Sequence, residues 1–200
     1  AFFQSEDPSG LPDEVKRLCI LLAGERAPQG WQPSDTNAMD FFDLKGILSE
    51  LFKGLRLPNI EFTPGKHPGY HPGKCALVMC GERQLGVMGE LHPKVRENYD
   101  WGDTFKAPIL AAELDVEMLI SMTPDLAQTR NVPVYPPVVE DLAFVLDEEL
   151  PAARVEELIR QTGGKLLADL QLFDLFRSAA LGEGKVSLAY RLTYQSPDRT

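Results

Sequence analysis

Cysteine, basic charge and long apolar runs are all scarce in this chain. Its three cysteines, Cys19, Cys75 and Cys80, are an odd number without Cys-x-x-Cys spacing. A disulfide framework and a zinc cluster of the usual spacing are therefore not expected. No stretch approaches the roughly 20 uninterrupted apolar residues of a membrane helix. No basic-then-apolar leader opens the sequence, so secretion is not expected. Lys and Arg total 20 against 30 Asp and Glu, a net charge of −10, which excludes a wholesale nucleic-acid coat but leaves room for a local basic face. Internal repeats and low-complexity tracts are missing too. The reading is a cytosolic, reduced protein without a membrane span.

What is present suits a folded core. Hydrophobic residues make up 44% and charged residues 25%, values that argue against disorder in a chain of 200 residues. Both ends look cut. Phe2-Phe3 reads as the tail of a strand, and Ser196-Pro197-Asp198-Arg199-Thr200 reads as a turn leading into a helix. A fragment of a longer chain is expected.

Periodicity predicts the elements. Arg17 to Ala23 is a short apolar run that fits a buried strand, and Gly24 to Asn37 is a loop. Phe41, Leu44, Ile47, Leu48, Leu51, Phe52 and Leu55 recur at three- and four-residue steps, one face of a helix. Asp35, Thr36 and Asn37 offer capping oxygens before it, and Gly54 a stop after it. Asn59 to Phe62 is a short strand, and Pro64 to Gly73 a Gly/Pro/His loop. Cys75 to Cys80 and Gln84 to Gly89 flank the hairpin signal Gly81-Glu82-Arg83. A helix from Pro93 to Asn98, a strand from Pro108 to Leu114 and a helical turn from Asp115 to Ser121 follow.

Prolines 124, 133, 136 and 137 mark a boundary. Beyond it Leu142, Phe144 and Leu146 alternate as a strand, and Pro151 to Thr162 is a helix stopped by Gly163-Gly164. Two strands, Leu166 to Phe176 and Lys185 to Gln195, are joined by a turn at Leu181 to Gly184. The order is β-α-β-β. One more helix and strand, expected beyond Thr200, would complete a ferredoxin-like sandwich.

Few residues carry chemistry. His67 and His71 are four apart, but the intervening Pro and Gly forbid a helix and nothing completes a metal site. The Gly86 to Gly89 segment lacks the Lys-Ser/Thr of a phosphate loop, and its glycines fit close backbone approach instead. Glu90 and His92 could share a strand face as an acid/base pair, with no nucleophile beside them. Glu140 to Glu157 is strongly acidic and reads as a solvated face. From Leu158 onward bases outnumber acids. In the last strand Val186, Leu188, Tyr190, Leu192 and Tyr194 form a core face. Ser187, Ala189, Arg191, Thr193 and Gln195 form a polar, neutral-to-basic face, which by charge alone fits a surface touching RNA and plain solvent exposure equally.

Four passages in order carry a family resemblance: Asp40-Phe-Phe-Asp-Leu-Lys-Gly46; His71-Pro-Gly73; Gly86-Val-Met-Gly-Glu-Leu-His-Pro93; and Phe173-Asp174 with the Lys185 to Arg191 strand. Together they resemble the C-terminal end of bacterial phenylalanyl-tRNA synthetase beta subunits. The resemblance implies an α+β fold in two parts. Residues 1–122 look like the end of a class II synthetase-like antiparallel sheet with helices, non-catalytic in this subunit. A Pro-rich linker spans 123–137, and 138–200 look like a truncated ferredoxin-fold anticodon-binding domain.

The implied function is part of a phenylalanine–tRNA ligase. ATP and magnesium serve the whole enzyme, the chemistry resides in the alpha subunit, and an alpha2-beta2 heterotetramer is expected. No catalytic residue, metal site or cofactor is expected in this fragment. Where a class II core places an ATP-holding arginine, this chain has His92, and the family's magnesium-associated acidic motif lies upstream. Glu140-Asp141 stands for a usual Arg-Asp, and Phe176-Arg177-Ser178 for Tyr-Arg-Gly. The residues expected to meet tRNA are Arg177, Lys185, Arg191 and Arg199, with Tyr194 as a stacking side chain. Two rival readings are a stand-alone RNA-binding adaptor and a small hydrolase or transferase using His67, His71, Glu90 and His92.

Overall fold

The computed structural model describes residues 2–3, 13–27, 30–31, 34–99, 107–125 and 133–196. They divide into two units, Ala1–Ala127 and Gln128–Thr200.

In the first unit, β1 (Phe2–Phe3) pairs with β2 (Asp13–Glu14), a partner the sequence pattern does not announce. The main elements are β3 (Arg17–Ala23), α1 (Phe41–Gly54), β4 (Ile60–Pro64), β5 (Tyr70–Cys80), β6 (Arg83–Leu91), α2 (Pro93–Asn98), β7 (Ile109–Asp115) and α3 (Val116–Met122). The five longer strands form one antiparallel sheet in the order β3-β7-β6-β5-β4.

Helix α1 covers one face of this sheet because its apolar positions fall on one side. Leu44, Leu48 and Phe52 are buried there against Val78, Leu85, Met88, Leu110 and Leu114. Burying each such side chain contributes about 1.5–3 kcal/mol. The opposite face of the sheet holds a smaller cluster of Tyr70, Cys75, Val87 and Ala111.

The helix start differs from the sequence expectation. Its cap is Asp40, whose side chain accepts the N–H groups of Phe42 and Asp43 while the Asp43 side chain accepts that of Asp40. Asp35 is diverted elsewhere: its carboxylate accepts from Asn37 and from Arg26. Arg26 reaches three carboxylates at once, Asp35 at 3.2 Å, Asp40 at 3.0 Å and Asp43 at 2.9 Å. That contact fastens the 24–40 loop to the first turn of α1.

A second correction concerns the His-Pro-Gly segment. Strand β5 begins at Tyr70 rather than after Gly73, and its pairing with β6 shifts register between Tyr70 and Cys75. Such an irregularity accommodates Pro72, which has no N–H to give the ladder. Gly86 and Gly89 lie where backbone crowds: a Cβ at Gly86 would sit 2.0 Å from the Glu113 carbonyl oxygen, and one at Gly89 2.3 Å from that of Lys74.

The second unit contains β8 (Val138–Asp147), α4 (Ala152–Gly163), β9 (Leu167–Phe176) and β10 (Lys185–Tyr194). Its antiparallel sheet has the order β8-β10-β9, with the last strand in the centre. Val186, Leu188, Tyr190 and Leu192 alternate into a core shared with Val155 and Leu170. Burial pushes the Tyr190 hydroxyl up to about 12, and that hydroxyl donates to the Ala152 carbonyl, tying sheet to helix. Gly164, at φ +60, ends α4, a backbone conformation glycine adopts readily. The α+β class expected from the sequence holds in both units.

Candidate functional site

Register decides what the uncovered face of the second sheet carries. Antiparallel partners share a face, so Ser187, Ala189, Arg191 and Thr193 lie opposite the core with Val145, Ala143, Asp141 and Val139 of β8. From β9 the same face receives Phe176, Asp174, Gln171 and Asp169. Phe173 joins them at the register shift beside Ala189 and Tyr190, where its ring lies 5.0 Å from the Arg191 guanidinium carbon. Phe173 and Phe176 are 46% and 53% exposed. Beside them the floor is low: Ser187 and Ala189 of β10, and Ala143 of β8 beyond, add little side chain.

The bases on this face are paired, whereas Asp169 and Asp174 have no basic partner among the described residues. Arg191 donates through Nε and Nη2 to the two oxygens of Asp141, at 2.9 and 2.8 Å. That contact holds the Asp141 carboxyl below its ordinary range and raises Arg191. Lys185 binds Asp147 at 2.6 Å, and Arg177 binds Glu148 at 2.8 Å. The basic face read from the last strand is thus a neutralised one. The acids of β8 and the turn after it answer the bases of β9 and β10. In residues 133–196 Arg154 is paired with Glu157, and only Arg160 and Lys165 stand without a carboxylate partner.

Tyr194 is not a stacking side chain on this face. It is half-buried and packs against the core cluster, as its alternation with Tyr190 and Leu192 requires. The exposed rings are Phe173 and Phe176, which charge counting alone passes over. Alternation along β9 could have found Phe176, but the register shift hides the face of Phe173. Arg199 lies outside the described residues.

The histidines are engaged otherwise than for catalysis. Each precedes a proline, and each Nδ1 accepts the N–H two residues on: His67 from Gly69, His71 from Gly73, His92 from Lys94. Proline at the middle of such a turn fixes φ and closes the bond. A neutral imidazole so used carries its proton on Nε2. Glu90 forms an ion pair with Lys74 rather than with His92. The four side chains of the hydrolase reading do not meet: His67 and His92 share one cavity, and Glu90 lines another of about 530 Å³ beside Phe42 and Lys45. Among the described residues no three His, Cys, Asp or Glu side chains converge as metal ligands.

Comparison with known proteins gives two family matches. Residues 1–116 match the model described as phenylalanyl tRNA synthetase beta chain CLM domain, and residues 133–200 that of a ferredoxin-fold anticodon binding domain. Similar proteins carry the name phenylalanine–tRNA ligase beta subunit. That of Symbiobacterium thermophilum is 39% identical over 190 residues, covering 95% of this chain and 21% of the relative. That of Moorella thermoacetica is 40% identical over 190 residues, 94% of this chain and 23% of the relative. In Clostridium tetani the figure is 33% over 200 residues, 100% of this chain and 23% of the relative. The chain thus spans between a fifth and a quarter of these relatives' length.

Proposed function

The chain belongs to the phenylalanyl-tRNA synthetase beta-chain family, and from that membership we propose that it is a non-catalytic part of a ligase joining phenylalanine to its tRNA. Residues 1–122 serve as scaffold and contact the alpha subunit, in an alpha2-beta2 enzyme of the cytoplasm. Residues 123–137 are a linker, and 138–200 dock the anticodon region of the tRNA.

The observation that carries the docking role is the open face of the second sheet. Phe173 and Phe176 offer two half-exposed rings, and Arg191 contacts both Asp141 and the Phe173 ring. Unstacked bases of an RNA loop stack on such rings, each contributing about 1–3 kcal/mol. Arg177, Lys185 and Arg191 remain the side chains placed to meet phosphate at its margin, and Arg160 and Lys165 add unpaired charge nearby in sequence.

ATP and magnesium belong to the whole enzyme. Among the described residues no three His, Cys, Asp or Glu side chains converge as metal ligands, and the family resemblance implies an ATP-holding arginine where this chain has His92. No chemical step is assigned to this chain.

The test is phenylalanine charging by a complete alpha–beta complex, compared with the same complex lacking everything from Tyr135 onward. The expected result is a raised KM for tRNA with the phenylalanine and ATP constants little changed. Unchanged charging would remove the docking role. A stand-alone adaptor would bind tRNA equally well without the alpha subunit, and family membership speaks against it.

A further inference from the structure

Two of the three His-Pro turns share a cavity. His67 and His92 line a pocket of about 340 Å³ with Lys66, Pro68, Tyr70 and Pro72, whereas His71 does not line it. Because the Nδ1 atoms of both rings are occupied by backbone N–H groups, the edge left for a ligand is Nε2–H. Neither Nε2 has a hydrogen-bond partner among the described residues. Lys66 likewise has no carboxylate partner there, and none of the lining residues is acidic.

The side-chain hydrogen-bonding groups that line it are one ammonium, two imidazole N–H groups and the Tyr70 hydroxyl, which can donate or accept. A metal ion would need a bare nitrogen. Supplying one at Nε2 would put a proton on Nδ1, against the N–H it now accepts. An anion needs what is already there. Three separate donors suit an acceptor with more than two oxygens, and the Pro68, Tyr70 and Pro72 walls leave apolar room for a group attached to it.

We propose that this cavity binds a phosphate-type oxyanion, held by Lys66 and by the Nε2–H groups of His67 and His92. The site lies in the first unit and is independent of the RNA-docking face. Its ligand is free phosphate or the phosphodiester of a nucleic-acid strand, one chemistry from two sources.

The experiment is a long-range ¹H–¹⁵N correlation of the imidazoles in the ¹⁵N-labelled chain at neutral pH. Inorganic phosphate is titrated in at constant ionic strength, with chloride as control and a short oligouridine as the second arm. His67 and His92 should both report an Nε2–H tautomer, and their signals should shift and saturate with phosphate. His71, in the same kind of turn outside the cavity, is the internal control and should stay still. Lys66→Ala should weaken binding roughly tenfold, the scale of one charge-assisted hydrogen bond. A tighter, Lys66-dependent response to oligouridine assigns the ligand to a nucleic-acid backbone, and a response to phosphate alone assigns it to the free ion. The proposal falls if His71 moves with the other two, if chloride has the same effect, if either ring carries its proton on Nδ1, or if neither ligand shifts the signals.

Discussion

Arg191 and Asp141, fifty positions apart, face each other across adjacent strands and share two hydrogen bonds of 2.9 and 2.8 Å. Both side chains are about half exposed, so solvent screens the pair and it adds little to stability. Its effect is on the surface potential. Each base on the open face of the second sheet is matched by an acid, with Asp169 and Asp174 left over, so an approaching phosphate meets no net positive charge.

Asp141→Asn should release Arg191 without disturbing the strand. In the complete alpha–beta complex, tRNA affinity should rise about threefold, and its salt dependence should steepen by up to about one ion. Filter binding at several salt concentrations measures both. An unchanged slope would show that Arg191 does not reach phosphate.

Glycine positions should separate by sign. Gly86→Ala drives a Cβ to within 2.0 Å of the Glu113 carbonyl oxygen in the centre of the first sheet, and should lower unfolding free energy by about 3 kcal/mol or more. Gly46→Ala, in α1 with nothing within 4 Å of its Cβ, should raise it by about 1 kcal/mol. Denaturant titration reads both, and equal effects at the two sites would contradict the packing described.

Acid sensitivity should concentrate at Arg26. Its guanidinium holds the Asp43 carboxyl below 3.8, while the Asn37 N–H and then Arg26 do the same for Asp35. A carboxyl lowered in the folded state contributes stability that is present above the unfolded value of about 3.9. That stability is lost as pH falls through the lower folded value. The native chain should therefore keep this contribution until below about pH 4. Arg26→Ala should be less stable at neutral pH and lose less on acidification. Parallel stability–pH curves for the two proteins would sink this account.

The two units should melt separately. In the second unit Leu142 and Leu175 lie on the core side of the sheet, paired with Tyr190 and Leu188, yet are 42% and 46% exposed. The first sheet keeps Leu85, Met88, Leu110 and Leu114 almost wholly buried. Hydrogen exchange should find β10 amides less protected than those of β6, and calorimetry two transitions with the second unit first. A single coincident transition would refute this.

Helix α1 and strand β10 were legible in the sequence because their signal is local: a period near 3.6 in one, of two in the other. The cap of α1 was not, because Asp35 lies several residues before Phe41 and its carboxylate is taken up by Asn37, whereas Asp40 directly precedes Phe41 and reaches the Phe42 and Asp43 N–H groups. Strand β5 was cut short because Pro72 reads as a breaker unless the register shift is known. The open face was half legible. Alternation placed Arg191 on it, but its carboxylate partner on β8 lies far away in sequence. Counting charges along β10 could not show that they are already answered.

The strand order of the second unit also has a consequence in time. Among the described residues strands β8 and β9 are not neighbours, since each pairs with β10, the last of the three to be made. During synthesis the unit has no sheet to build until Tyr194 has left the ribosome, and the earlier strands wait with unpaired edges. When β10 arrives, it closes both ladders at once, across separations that make such pairing slow. A nascent chain stalled between Phe176 and Lys185 therefore holds the helix and two strands of this unit but none of the sheet described here.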